Sequence, residues 1–289
     1  MKLGGEDIIR TIETKNPGIS PRGAISGPPC QFFSQSNVYS NEDDIRRTLP
    51  GRFAQILSKL NDSYALDFFV FENVRGLTSN RHQKAFSRFR SMFKRAGFRL
   101  FEGLLDAQYF GVPQKRPRVF VVGLNRHRYP GLKFKFPQPE TRHVITVAEA
   151  IRGLPEPRYF ERNLKPNDIP FHPNHWTMNP KSKKFLNGSL VEGHNGGRSF
   201  RVLSWNKPSW TVAYGNREIH IHPSGKRRLS IYEAMQLQGF PQRYQLLGTL
   251  SEQVKQVCDA VPPPLAVALA RSVYQFLENN AGGQGGQCE

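Results

Sequence analysis

The sequence predicts an α/β fold, in which a domain with a mostly parallel sheet is joined to a second, smaller and irregular domain. Short apolar runs that suit buried strands alternate with helical apolar spacing across residues 1–124, and this alternation is typical of a parallel sheet. Residues 125–227 differ, because they are rich in Pro, Gly, Asn, His and Arg and have few periodic runs. These observations predict two domains within the 289 residues.

The first domain alternates helices and strands. Four apolar residues at i, i+3, i+4 and i+7 predict one helix, and a nearly continuous apolar run at 66–71 predicts a buried strand. A second helix stops at Gly97, and further strands are predicted at about 98–105 and 118–124. The apolar faces of the two helices comprise Phe53, Ile56, Leu57 and Leu60, and Ala85, Phe89, Met92, Phe93 and Ala96.

The remaining face of the second helix is basic. Its cations are Arg81, Lys84, Arg88, Arg90, Lys94 and Arg95. Charged residues on one side of an amphipathic helix are usually its solvated surface, and we interpret this face in that way.

Two capping boxes mark helices later in the chain. Thr146 with Glu149 begins one helix, and Ser230 with Glu233 begins another that ends before Pro241. A last helix follows the prolines at 262–264. We therefore predict that residues 1–124 and 246–280 form the first domain and 125–245 the second. The Gly-rich tail at 281–289 is predicted to be disordered.

The charge balance favours a polyanionic partner. The chain has 41 Lys and Arg against 23 Asp and Glu, a formal net charge of +18, and such an excess most often serves nucleic-acid binding. A generally basic protein with no such partner is the alternative. The chain has no apolar run of membrane-spanning length and no signal-peptide pattern, and its three cysteines are far apart. We expect a cytoplasmic, nucleoid-associated protein without a disulfide scaffold or a thiolate metal site.

The segment Gly27-Pro28-Pro29-Cys30-Gln31 places one thiol in a rigid turn after a short apolar run. The prolines restrict φ ahead of the cysteine, and the glycine permits a sharp turn. A thiol presented in this way suits a nucleophile. A small buried hydrophobic residue is the alternative role for a lone cysteine.

Five segments, taken together and in order, resemble the motifs of the DNA cytosine-5 methyltransferases. They are Gly27–Ser34 with its Pro-Cys-Gln, Phe71–Val74 with its Glu-Asn-Val, Gln108–Arg118 with its Gln-x-Arg-x-Arg, Arg227–Pro241, and Gln256–Ala266. The resemblance implies an incomplete Rossmann-like α/β domain with a target-recognition domain. It also implies methyl transfer from S-adenosylmethionine to C5 of a flipped-out cytosine in duplex DNA, in a restriction–modification setting.

The chemistry of that reaction suits the residue types in these motifs. C5 of cytosine is a poor nucleophile, and addition of the Cys30 thiolate at C6 makes the ring electron-rich. A carboxyl group at N3 and the 4-amino group, assigned to Glu72, eases the addition. By the resemblance Arg118 binds O2, and Arg116 belongs to the same catalytic set, where it holds phosphate or the loop. Asn73 orients the turn at Pro29 and Cys30. An ion pair at the end of the sheet is the alternative role for Glu72.

The resemblance also implies binding residues. Asp7 would contact the adenine amine of the donor, and Pro29, Asp259 and Val261 would lie beside it. The expected DNA contacts are Gln31, Ser34, Arg198, Arg201, Arg217, Arg227 and Arg228.

The chain departs from the family pattern near its beginning. The Gly-rich donor loop and the acidic residue that holds the ribose should precede the cysteine, and neither is in the sequence. We therefore expect an N-terminally truncated member. Phe32 stands where the family has a small residue, and Cys258-Asp259 replaces Gly-Asn. The added carboxylate of Asp259 would weaken donor binding, or have no effect if it faces water.

Other functions stay open from the sequence. The chain could be a non-catalytic DNA-binding remnant, one subunit of a split enzyme whose second chain supplies the missing segment, or a transfer-RNA cytosine-5 methyltransferase. His172 with His175, and His220 with His222, could be read as metal ligand pairs, but they lack the partners of a zinc site, so we predict no metal. Base-stacking or local core roles are both open for Trp205, Trp210 and Tyr214.

Overall fold

The computed structural model describes residues 4–29, 31–33, 45–139, 143–197, 199–211 and 220–280. Within these ranges the chain forms seven α-helices and ten strands, joined by short 3-10 turns. The helices are α1 (Gly5–Lys15), α2 (Leu49–Tyr64), α3 (Gln83–Arg95), α4 (Val147–Ile151), α5 (Ile231–Leu237), α6 (Leu250–Asp259) and α7 (Pro263–Asn279). The strands are β1 (Gly23–Ser26), β2 (Phe68–Val74), β3 (Phe98–Asp106), β4 (Gln114–Lys115), β5 (Pro117–Asn125), β6 (Arg158–Tyr159), β7 (Trp176–Thr177), β8 (Arg201–Val202), β9 (Ser209–Trp210) and β10 (His220–Ile221).

The chain divides into two compact units, each built from separate segments. The first unit takes its described residues from 1–105, 117–137 and 271–280, and the second from 106–116 and 138–270. These limits differ from the predicted boundaries, because α6 and the first half of α7 belong to the second unit. The buried Val257 of α6 packs in the same core as Met235 and Leu237 of α5. Assignment of residues 125–245 to target recognition remains a prediction.

The first unit contains a four-stranded sheet in the order β1-β2-β5-β3. β1 pairs with β2 in parallel, with Ser26 opposite Phe71, whereas β2 and β5 are antiparallel, with Glu72 opposite Phe120. The α/β class is confirmed, and the sheet is mixed. β2 spans Phe68–Val74, whereas the apolar run predicts a strand at 66–71. Its end is later because pairing with β5 continues to Val74, which lies opposite Arg118. Glu72 therefore lies within the strand.

Two consecutive phenylalanines of β2 pack on glycines of the two adjacent strands. Phe68 lies opposite Gly23 of β1, and Phe69 lies opposite Gly123 of β5. A Cβ atom at either glycine would overlap the ring of its partner. Because consecutive side chains of a strand point to opposite faces, each sheet face has one ring covering a glycine. The glycines are needed for this close approach.

The core of the first unit is largely aromatic. α2 and α3 pack together against the sheet, and Leu57, Phe93 and Phe98 are fully or almost fully buried there. The Phe93 ring lies 5.0 Å from that of Phe69 and 5.4 Å from that of Phe71, between ring centroids. Such tilted contacts add to the hydrophobic burial. The predicted helical faces of α2 and α3 are confirmed.

A buried carboxylate anchors the opposite end of the sheet from Glu72. Asp67, just before β2, accepts from Arg22 Nε at 2.7 Å, Arg128 Nε at 3.0 Å and the Tyr129 hydroxyl at 2.9 Å. Burial and this hydrogen bond raise the pKa of Tyr129, so its hydroxyl stays a donor at neutral pH. A buried charge with several partners is tolerated, whereas an unpaired one is costly.

The second unit has its core between α4, α5 and α6. The predicted capping boxes of α4 and α5 are confirmed: the Thr146 and Ser230 hydroxyls accept from the backbone N–H of Glu149 and Glu233. The sequence patterns did not predict α6, although Thr249 begins it in the same manner. None of the described helices is both long and apolar enough to cross a membrane.

We expect Gly123→Ala to lower the free energy of unfolding by about 2–3 kcal/mol, because the new methyl group overpacks the core against Phe69. Urea titration followed by circular dichroism measures the change. Gly51→Ala in α2 is the matched control, since its Cβ would contact Met92 at an ordinary 3.5 Å. That change should be neutral or stabilising by up to about 1 kcal/mol. Equal effects of the two changes would contradict the role given to Phe69.

Candidate active site

The carboxyl ends of the parallel strands β1 and β2 lie side by side. Because Ser26 is opposite Phe71, the next residues, Gly27 and Glu72, are at the same level. A Cβ atom at Gly27 would lie 3.3 Å from Glu72 Oε2. The Glu72 carboxylate is therefore beside the turn that leads to Cys30, and it leaves little space for a side chain at position 27. Cys30 itself lies outside the described residues.

Arg118 reaches Glu72 from the neighbouring strand β5. Arg118 Nε lies 3.0 Å from Glu72 Oε1, and the two side chains are only 10% and 15% exposed. The antiparallel register places Arg118 two residues from Phe120, the residue opposite Glu72, so the pair is a diagonal neighbour across the strands. Arg118 Nη1 also donates to the Pro117 carbonyl. The sheet thus holds an acid and a cation together at one edge.

Asn73 follows Glu72 and is completely buried. Its Oδ1 accepts from the Val74 N–H at 3.0 Å, and its Nδ2 has no hydrogen-bond partner among the described residues. A buried amide donor without a partner is unfavourable by roughly 1–3 kcal/mol. This donor is available for the predicted contact with the turn at Pro29 and Cys30, which stays a prediction.

Arg116 has a different environment from Arg118. Only 3% of it is exposed, and its Nη2 donates to the carbonyls of Cys258 and Ala260 at 3.0 and 2.9 Å. These carbonyls end α6, and a cation is favourable at a helix C-terminus. Of the two predicted roles of Arg116, this position favours holding the loop over contact with phosphate. It does not favour the catalytic role that the resemblance implies for Arg116.

The predicted donor-binding residues are accessible to a ligand in each unit. In the first unit Asp7 is half-buried in the first turn of α1, where Oδ2 accepts from the Gly4 N–H at 2.8 Å, and Pro29 is exposed. In the second unit Asp259 is the exposed last residue of α6, and Val261 is half-buried. The exposure of Asp259 fits the alternative in which its carboxylate faces water.

The predicted DNA contacts fall into three groups. Arg201 and Arg228 are half-buried, and the Arg201 guanidinium lies over the Trp210 ring, 6.0 Å from its centroid. Gln31 lies in a 3-10 turn, but its side chain is not described. Ser34, Arg198 and Arg217 lie outside the described residues.

Arg227 is the exception among the predicted DNA contacts. It is 3% exposed, and its guanidinium donates to Glu233 through both terminal nitrogens at 2.9 Å and to Glu156 Oε2 at 2.9 Å. Burial alone would raise the pKa of Glu233, but these hydrogen bonds outweigh it and hold the pKa below its usual value. Arg227 is therefore a buried structural cation and is poorly placed for a phosphate. The pattern Arg-x5-Glu, with a capping box at its end, could have indicated this pair.

The histidine pairs take part in structural contacts. His175 Nδ1 lies 3.0 Å from Ser230 Oγ, and Nε2 lies 2.7 Å from the Pro155 carbonyl oxygen. The His172 ring packs on Tyr232 at 4.3 Å between centroids. Over the part of the chain that the structure describes, no three metal-ligating side chains come together.

The tryptophans pack in the second core. Trp176 is buried there, and Trp205 and Trp210 lie partly buried against it. This packing favours a local core role over base stacking for Trp205 and Trp210. Tyr214 lies outside the described residues.

Comparison with known proteins gives consistent matches. A family model described as C-5 cytosine-specific DNA methylase matches residues 6–275. The Type II methyltransferase M.NmeDI of Neisseria meningitidis serogroup C is 31% identical over 89% of this chain and 64% of its own length. M.MthTI of Methanothermobacter thermautotrophicus is 30% identical over 93% and 84%, respectively. The chain thus spans a little under two thirds of the first relative and most of the second.

Solved structures agree in fold. A prophage-encoded DNA modification methyltransferase of E. coli superposes with a TM-score of 0.73 at 22% identity, over 96% of this chain and 84% of its own. The Dnmt2 methyltransferase of S. pombe gives 0.56 at 15% identity, over 96% and 81%. At these identities the likeness shows the fold alone.

The buried His220 should make the stability of the second unit depend on pH. It is 5% exposed, and burial, with the nearby Arg201 charge, lowers its pKa to about 4. Between about pH 6.5 and 4 the unfolded chain takes up a proton that the folded chain does not, so stability falls as pH falls. From pH 7 to 5 we expect this histidine to lower the free energy of unfolding by about 2 kcal/mol.

Tryptophan fluorescence measures this effect, since all three tryptophans lie in the second unit. In His220→Gln, the decrease between pH 7 and 5 should be smaller than in the unchanged chain by that amount. His194→Gln, at an exposed histidine of the same unit, should leave the pH dependence unchanged. The same pH slope in His220→Gln and in the unchanged chain would show that His220 is protonated as readily in the folded state.

Proposed function

Because this chain belongs to the family of C-5 cytosine-specific DNA methylases, we propose that it methylates C5 of cytosine in duplex DNA through a covalent Cys30 adduct. The named relatives are Type II methyltransferases, and we extend a restriction–modification role to this chain. The observation that carries the proposal is the Glu72–Arg118 pair beside Gly27, three residues before Cys30.

Cys30 acts on the pyrimidine ring as the nucleophile. Its thiolate forms a bond to C6, and the electron pair of the C5–C6 double bond moves to C5. That electron pair would form the new bond from C5 to the methyl carbon, while the methyl–sulfur bond of the donor breaks and its electrons stay on the donor sulfur. A base would then remove the C5 proton, the C–H electrons would restore the C5–C6 double bond, and the S–C6 bond would break to regenerate the Cys30 thiolate. A thiolate suits both steps because it is a good nucleophile near neutral pH and also a good leaving group.

Glu72 and Arg118 suit the Watson–Crick edge of cytosine. That edge presents an acceptor at O2, an acceptor at N3 and a donor at the 4-amino group, on adjacent atoms. A guanidinium beside a protonated carboxyl group, as the 3.0 Å pair would provide on binding the base, can donate to O2 and N3 and accept from the amino group. Thymine has an N–H at N3 and an acceptor at O4, so it would not match.

S-adenosylmethionine supplies an electrophilic methyl group when bound. We propose that the Asp7 carboxylate accepts from the adenine amine of this donor, and that Pro29, Asp259 and Val261 lie beside the donor. The half-buried Asp7 and the exposed Pro29 and Asp259 are compatible with such contacts. Asp7 already accepts from the Gly4 N–H through one carboxylate oxygen, and the second oxygen is the one we assign to the donor.

Duplex DNA is the proposed substrate, with the target cytosine flipped out of the helix to reach the site. The contacts that we retain for it are Gln31, Ser34, Arg198, Arg201, Arg217 and Arg228. The comparisons give no support to a second chain that would supply a missing segment. Structured RNA is the competing substrate, and the covalent trapping assay described next distinguishes the two.

Covalent trapping tests the mechanism directly. A random-sequence duplex with 5-fluorocytosine in place of cytosine has no C5 proton to lose, so the Cys30–C6 bond would persist through denaturing electrophoresis in the presence of S-adenosylmethionine. We expect an adduct with the unchanged chain and none with Cys30→Ser. Glu72→Gln should form the adduct about 10²–10³-fold more slowly, since it cannot protonate N3.

Glu102→Gln is the matched control for Glu72. Glu102 also lies in the sheet and pairs with an arginine, Arg90 at 2.6 Å, on the surface, and its change should leave the trapping rate unaltered. Circular dichroism checks the folding of each variant. Trapping by Cys30→Ser, or equal rates for the two glutamine variants, would overturn the assigned roles. Faster trapping on RNA that contains 5-fluorocytosine than on the duplex would show that structured RNA, and not duplex DNA, is the substrate.

A further inference from the structure

A cleft of about 740 Å³ lies within the first unit, between α2 and α3. Its lining includes the buried apolar rings of Phe33 and Phe89 and the buried ring of His82. Phe32, two positions after Cys30 in the sequence, lies at one side. The cleft is therefore next to the segment that follows the proposed nucleophile, at the edge of the sheet where β1 and β2 end.

The rim of this cleft is basic on both sides. Five exposed cations line it, and no acidic residue is present among the described residues that do so. The α2 side contributes Arg47 and Arg52, and the α3 side contributes Arg81, Lys84 and Arg88. Lys84 and Arg88 are four residues apart on α3 and so share one face of the helix, while Arg81 lies in the 3-10 turn just before it.

The other cations of α3 have a different setting. Arg90 pairs with Glu102 on the surface, and Lys94 and Arg95 lie near the end of the helix, away from the cleft lining. The basic face is therefore not uniform. One part of it borders a concave apolar surface, and the rest is ordinary solvated helix.

Charge and shape together indicate a phosphate polymer. Positive charges around an apolar, low-dielectric surface focus a positive potential into the cleft. Duplex DNA carries one negative charge for about every 1.7 Å of its axis. A cleft of this volume is much larger than one ion needs. Resting on the function proposed above, we propose that the α2–α3 cleft binds backbone phosphates of the duplex flanking the target cytosine.

His82 connects the cleft to the segment after Cys30. Its ring lies 5.7 Å from that of Phe32 and 5.2 Å from that of Phe33, between centroids. Burial and the Arg81 charge lower the pKa of His82, so the ring is neutral at pH 7 and contributes packing. A phosphate bound at Arg81 would thus lie beside His82, whose ring contacts Phe32 and Phe33 in the turn at residues 31–33.

A pair of double variants on one helix tests the proposal. Lys84→Gln with Arg88→Gln removes two charges from the cleft, and Lys94→Gln with Arg95→Gln removes the same two residue types from outside it. The acidic residues at 42–44 lie outside the described residues and stay unchanged in all variants. Equilibrium binding to a random-sequence duplex is measured from 50 to 300 mM salt, and thermal melting checks folding.

We expect the cleft variant to bind duplex DNA about 10-fold more weakly near 0.15 M salt and to lose about 1–2 from the slope of log K against log salt. The control variant should change neither quantity measurably. Arg47→Gln with Arg52→Gln, on the opposite wall, should reproduce the cleft result. Equal losses in the cleft and control variants would overturn the proposal, because they would show that only overall charge matters.

The outcome is separable from that of the proposed function. If the unchanged chain forms the trapped adduct and the cleft variant binds DNA normally, the cleft proposal fails and the methyltransferase proposal stands. If the cleft variant binds DNA more weakly and the unchanged chain yields no adduct, the methyltransferase proposal fails and binding of DNA phosphates by the cleft stands. Weaker binding to structured RNA, with unchanged binding to duplex DNA, would make the cleft an RNA surface and contradict the proposal.

Discussion

The position of β2 between a parallel and an antiparallel neighbour is the constraint on which the candidate site depends. It places Gly27, Glu72 and Arg118 at one edge of the sheet. A slip of one residue would turn every side chain of β2 to the other face. Phe68 and Phe69, each covering a glycine of an adjacent strand, make such a slip unfavourable, and the buried Asp67 holds the far end.

The strongly patterned parts of the fold were predictable from the sequence, and the parts that depend on distant contacts were not. The spacing of apolar residues identifies α2 and α3, and two capping boxes identify α4 and α5. The extension of β2 through Glu72 depends on its pairing with β5, about fifty residues away. Motif resemblance identifies Glu72 and Arg118 as candidates, but only the strand register shows that they meet.

The arginines show the same limit at the level of single residues. The sequence motifs place Arg116 and Arg227 among the candidate phosphate contacts, yet both are buried and bind acceptors inside the second unit. The count of 41 Lys and Arg therefore overstates the number of cations available to a partner. The cations that remain on the surface gain significance from what lies beneath them, as the apolar floor of the α2–α3 cleft illustrates.

The composition of the first unit also affects how the protein can be synthesised. Residues 271–280 of α7 belong to that unit together with residues near the beginning of the chain. During translation the unit lacks this piece until at least 270 residues have been made. Until then the emerging chain would expose the rings of Tyr129 and Phe134, which Phe276 of α7 contacts in the folded unit, and such exposure favours association with chaperones. It also means that no contiguous fragment contains the first unit without the second.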